Sequence, residues 1–209
     1  MKSGRRICIA AALLLLLAGT YLCYRWLRPS PASISSSGGI DLTLGNWPAE
    51  PFYLQRDARW KDETIGGSGE RISAVGCTLC CISMAFTHLG VAVTPEEFND
   101  YLKAHDGYNE KGWLKWGEAA GLSKGKIALF PMTPTYENID DAIRSRELVV
   151  AKVLLHGLVP HWVLIVGKEG QEYMVKNPLN DRLDLEKLSS LSGRIESIRI
   201  VKAVQPGEE

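Results

Sequence analysis

Apolar positions along the chain change period once, near residue 147. Before it, they recur at helical spacing. Leu79, Ile82, Ala85, Phe86 and Leu89 share one face of a helix that Gly90 stops. Thr94-Pro95-Glu96-Glu97 starts a second, combining a capping-box pair (Thr94 with Glu97) with proline in the first turn, and this helix runs to about Ala104. Two further helices are predicted, over 113–120 and 137–145. After residue 147 the pattern is that of strands. Leu148–Leu155 is an apolar run rich in β-branched residues, and His161–Gly167 is another. Lys168-Glu169-Gly170-Gln171 turns the chain into Glu172–Lys176, and 194–204 alternates as a last strand. Helices first and strands second predict an α+β domain, an antiparallel sheet packed on a helical half.

The N-terminus follows different rules. Lys2, Arg5 and Arg6 precede an uncharged stretch, Ile7–Cys23, at the lower end of what crosses a bilayer core of ~30 Å at 1.5 Å per residue. Tyr24 and Trp26 suit the interface, and Arg25 and Arg28 flank the far side. A cleaved signal peptide needs a small-residue site soon after the apolar run. Here YRWLR intervenes before Ser30-Pro31-Ala32, which favours an uncleaved anchor with its N-terminus inside. The expected order is therefore a cytoplasmic tail (1–6), a transmembrane signal-anchor (7–26), a flexible linker (27–46) containing PSPASISSSGG, and an extracytoplasmic domain (47–205). Cleavage would make that domain a secreted one.

Composition narrows the function. Lys+Arg and Asp+Glu number 24 each, so no basic block points to nucleic acid and no acidic block to a solvating tail. Of the five cysteines, Cys8 and Cys23 belong to the apolar segment. The remaining three, Cys77, Cys80 and Cys81, are odd in number and tightly clustered, which makes a poor disulfide framework and turns attention to a reactive thiol.

Cys77 follows a glycine and opens the first helix. Unpaired N–H groups and the partial positive charge at a helix start favour thiolate, and thiols so placed have pKa values of roughly 3.5–7.5. A nucleophilic thiolate also needs a base and a group to orient that base. His88 lies on the same helix, about 16 Å along it, and is out of reach. His105 reads as a surface cap closing the second helix, and His156 ends a strand and stays open as a weaker candidate. His161 heads the strand HWVLIVG. Asn177 lies sixteen residues on, and a hairpin turning near Gly170 brings the two roughly opposite each other. The asparagine carbonyl can then accept from one imidazole nitrogen and leave the other for the thiolate.

HWVLIVGKEGQEYMVKNPL resembles the histidine–asparagine hairpin of papain-like cysteine peptidases, and Gly76-Cys77 before an apolar helix resembles their nucleophile helix. LQRDARW, a glycine-rich loop and then GC further resemble the compact bacterial branch related to the double-glycine (C39-like) peptidases that process bacteriocins. The resemblance covers residues 50 to 180 and implies a papain-like fold and a thiol peptidase activity. It also implies an oxyanion-hole glutamine, which Gln55 matches. The chain departs from the family in Thr78-Leu79-Cys80-Cys81, where many members have glycine and proline. It has Asn177 where many have aspartate, and its Cys77–His161 spacing is shorter than the roughly 130–150 residues of papain.

The leading expectation is therefore a cysteine hydrolase of peptides or other amides, with Cys77, His161, Asn177 and Gln55 as its catalytic set and no metal or cofactor. A catalytically idle peptide-binding domain of the same fold is the alternative. A CxxC redox pair at Cys77 and Cys80, or a zinc site using the three cysteines, would be different classes of protein. Under the hydrolase reading Cys80 and Cys81 are core residues, and Trp60, Trp113 and Trp116 either line a cleft or belong to the core.

Overall fold

The period change after residue 147 builds an antiparallel sheet. In the computed structural model the described residues are Leu16, Gly19, Thr20, 33–44 and 50–204. Among them the strands are β1 (Ile34–Ser35), β2 (Ile127–Met132), β3 (Leu148–Leu155), β4 (Val159–Glu169), β5 (Glu172–Lys176), β6 (Glu186–Lys187) and β7 (Arg194–Ala203). They form one sheet in the order β1-β7-β3-β4-β5-β6, and β2 also pairs with β7. The helices are α1 (Ile72–Val75), α2 (Cys77–His88), α3 (Pro95–Ala104), α4 (Trp116–Gly121), α5 (Tyr136–Arg144) and α6 (Leu188–Leu191).

Both faces of the sheet are covered, so its central strands read as runs rather than alternations. Leu148, Val150, Leu164, Val166 and Val201 pack with Leu79, Ile82, Ala85 and Phe86 of α2 and with Phe98 and Leu102 of α3. Val149, Ala151, Val153, Val163 and Ile165 pack on the other side with Ile139, Ala142 and Ile143 of α5. The capping box is present: Thr94 Oγ1 accepts from Glu97 N and the Glu97 carboxylate accepts from Thr94 N.

Three features depart from the sequence reading. Strand β2 was not foreseen, because Pro131 interrupts it. Proline is tolerated there because β2 lies at the sheet's edge, beside β7. Second, the linker expected over 27–46 is not loose between 34 and 44. Ile34 and Ser35 pair with Ile195 and Arg194, Ser37 bridges Glu172, and Leu44 bridges Lys168. Third, a buried cluster pins this strap: Lys168 Nζ (2.7 Å) and Tyr173 Oη (2.9 Å) donate to Asp140 Oδ1, and Ile40 N donates to Oδ2 at 3.0 Å. Gly39 adopts φ +75° against the Asp140 carboxylate, where a Cβ would collide.

The chain divides into two compact units, 1–33 and 34–209. Of the first, Leu16, Gly19 and Thr20 are helical, and Thr20 Oγ1 donates to the Leu16 carbonyl at 2.9 Å. The tail (1–6) and the rest of the expected anchor (7–26) lie outside the described residues. Among the described residues no helix is long and apolar enough to cross a membrane.

Candidate active site

Cys77 is the first residue of α2, as its position after Gly76 predicted. The turn from α1 into α2 needs that glycine, since a Cβ there would run into Ile72. Backbone bonds from Ile72 N to Glu63 O (2.8 Å) and from Ser73 N to Lys61 O (3.0 Å) fix the approach. Cys77 is half-buried, whereas Cys80 and Cys81 are fully buried, as core residues one turn into the helix should be.

β4 and α2 meet at one backbone position. β5 pairs with β4 only as far as Leu164, opposite Lys176, so β4 outruns its neighbour and its edge is open at Trp162. Cys81 Sγ donates to the Trp162 carbonyl at 3.4 Å, and the Trp162 backbone lies close enough to favour the Cys77 thiolate. The nucleophile candidate therefore sits one residue from His161.

His161 and Asn177 are brought together directly. His161 Nε2 and Asn177 Oδ1 are 2.7 Å apart, and both residues are buried. The same Oδ1 accepts from Leu179 N at 3.0 Å. That backbone donor identifies the atom as the amide's oxygen independently of the histidine. Nε2 must then carry the hydrogen, and the neutral ring keeps its lone pair on Nδ1. Burial holds the His161 pKa below its ordinary value, against the opposing effect of the Asn177 hydrogen bond.

Cys77 corrects one expectation. Burial raises its pKa, outweighing the Trp162 backbone, the Thr78 hydroxyl and the helix-start amides that favour thiolate. Cys77 and His161 make no direct hydrogen bond to each other.

Gln55 is buried near both halves of the site. Its backbone N donates to Pro178 O (2.9 Å), next to Asn177, and its side-chain Nε2 donates to Ser73 O (2.9 Å), on α1 before Cys77. Its Oε1 is buried without a partner. The other histidines are elsewhere. His105 caps α3, with Nδ1 2.8 Å from Tyr101 O. His156 sits in the exposed β3–β4 turn at φ +51°. His88 Nε2 meets Lys176 Nζ at 2.8 Å, and its pKa falls to about 4, chiefly through burial and then through the lysine's charge. Among the described residues no group of three or more His, Cys, Asp or Glu side chains is arranged to hold a metal ion.

Sequence reasoning missed the part played by Trp162. Its side chain packs on Trp116 (ring centroids 5.0 Å apart), and the Arg199 guanidinium lies 4.9 Å from the Trp116 ring. The available signal was Arg199 itself, a charge at an inward position of an alternating strand. Trp60 is core and donates to Leu54 O at 2.8 Å, while Trp113 is exposed.

No known protein family matches the sequence, and no curated protein resembles it closely enough to count as a relative. Among solved structures, the chain is similar to a candidate C39-like peptidase from Bacillus anthracis, with a TM-score of 0.51 at 13% identity, covering 80% of this chain and 99% of that one. With its α+β layering and its curled antiparallel sheet, the chain has the papain-like fold of the C39-like peptidases.

Proposed function

We propose that the chain is a cysteine-dependent hydrolase of peptides or related amides, acting outside the cytoplasmic membrane with its apolar segment, 7–26, as the anchor. The observation that carries this reading is the buried 2.7 Å bond between His161 Nε2 and Asn177 Oδ1, next to a helix-start cysteine on the open edge of the same strand. In the first step His161 Nδ1 takes the Cys77 proton as the sulfur attacks the carbonyl carbon. The Cys77 amide and the second N–H of Gln55 Nε2 stabilise the oxyanion. The imidazolium then protonates the leaving amine as the C–N bond breaks, giving a thioester. Water, deprotonated by His161, cleaves the thioester and restores the thiol.

The test is turnover of a complex peptide mixture by the full-length chain, read by mass spectrometry. Cys77→Ala should abolish new termini while leaving the circular dichroism unchanged. Cleavage retained in that variant sinks the proposal.

One observation favours the idle-domain reading: the Gln55 amide already donates to Ser73 O. Alkylation of Cys77 separates the two. The hydrolase reading requires a labelling rate that falls in His161→Ala, and a rate indifferent to that change selects the binding domain.

A further inference from the structure

The sheet face under α2 changes character at the level of the site. Val150 and Leu164 are cross-strand partners within the apolar core, and the next pair on that face, Lys152 and Trp162, is half-exposed. On β7, Arg199 lies opposite Val150 and Pro131, and Ser197 lies opposite Lys152. Trp116 of α4 closes over this patch against Trp162. The Arg199 guanidinium stands 4.9 Å from the Trp116 ring and 5.8 Å from the Trp162 ring, half-buried between them. It donates to Ser197 Oγ (3.1 Å) and Ile198 O (2.8 Å) through Nη1, whereas its Nε is buried without a hydrogen-bond partner. Among the described residues neither Arg199 nor Lys152 has a carboxylate within ion-pair distance. Desolvating a guanidinium without a counter-charge is costly, so this cation is held ready for an anion. By strand alternation His161 and the Trp162 ring lie on opposite faces of β4, with Cys77 at the edge between them.

We propose that Arg199, stacked on Trp116 and Trp162 and flanked by Lys152, is a specificity subsite for a carboxylate of the substrate. The inference rests on the hydrolase reading and names its substrate class: an amide carrying an acidic group within three residues of the scissile bond, a reach of up to ~10 Å in extended chain. The planar guanidinium suits a carboxylate bidentately, and the two indoles keep its orientation fixed.

The experiment uses full-length protein and paired quenched peptides that differ only as Glu or Gln at each of the three positions on either side of one cleaved bond. At one of these positions the wild-type chain should cleave the Glu peptide with a kcat/KM at least tenfold above its Gln twin. Arg199→Gln should collapse that ratio to below threefold. Arg199→Lys should leave it in between, and Lys152→Gln, which keeps the stacked arginine in place, should reduce it about twofold. Equal rates for Glu and Gln at every position, or a ratio unchanged in Arg199→Gln, overturns the subsite. The same peptides are also titrated into Cys77→Ala, with tryptophan fluorescence as the readout. A Glu preference there that Arg199→Gln abolishes sustains the subsite even if no peptide is turned over. Absence of any preference in binding refutes it independently of whether the chain is a hydrolase.

Discussion

The β4–β5 hairpin buries a lysine at each end, and the two are treated differently. At the turn end, Lys168 meets a carboxylate, Asp140, which Tyr173 and the backbone of Ile40 also bond. At the open end, Lys176 is equally buried but has the Pro51 carbonyl (2.8 Å) and the neutral His88 ring for company. Burial lowers its pKa to about 8, against a weaker pull from Glu50. Full compensation at one end makes a structural rivet. At the other end, where Asn177 follows Lys176 directly, burial moves the lysine toward the neutral range and it titrates nearer neutrality than an ordinary lysine. Candidate chemistry and perturbed titration coincide at this end, as expected where function outweighs local stability.

The sharpest way to break this contrast is to damage each end and measure both stability and rate. His161→Ala should lower kcat by about 10²–10⁴-fold, with the urea midpoint nearly unchanged. A large loss of stability would instead make His161 a core residue. Asp140→Ala at the turn end should do the reverse, costing about 3–5 kcal/mol because Lys168 is left buried and unpaired. Its urea midpoint should drop while the kcat of the folded fraction holds. Replacing Lys176 with methionine should be neutral or stabilise by roughly 1–2 kcal/mol at pH 7, since burial disfavours its charged form.

The pH dependence sharpens the same point. Between pH 8 and the unfolded lysine value of 10.5 the unfolded chain holds a proton that folded Lys176 has released, so stability contributed here rises with pH. Lys176→Met should flatten that limb. His88 acts at lower pH: between 6.5 and about 4 only the unfolded state is protonated, so this contribution is lost on acidification. The smallest effect is expected at Cys77. Its alkylation rate should climb with pH through a value above that of a free thiol, because burial raises its pKa. A plateau already reached at pH 6 would instead indicate a thiolate preformed at the helix start.

Much of this architecture was legible in the sequence, for local reasons. Strands β3 and β5 and helix α3 match their predicted spans, because periodicity and the Thr94–Glu97 box are properties of neighbouring residues. His161 and Asn177 were legible as a pair because one short hairpin joins them. The Asp140–Lys168–Tyr173 cluster was not: Asp140 lies 28 and 33 residues from its partners, and the three fall in a predicted helix, a turn and a strand that no local pattern joins. Cys77 was legible as a helix start, whereas the burial that raises its pKa was not: the helix dipole is local, and burial depends on how α2 packs against β4.

The strap over 34–44 has a practical consequence for anyone preparing the protein without its apolar segment. A truncation beginning at Trp47, where the hydropathy pattern suggests the domain starts, would strip β1 from β7 and remove the Ile40 donor from Asp140. It would leave bare strand edges of the kind that recruit other chains and promote aggregation. A version starting at Ser33 keeps those edges sealed, and comparing the solubility and heat resistance of the two would show how much of the fold's protection resides in a dozen residues that look like spacer.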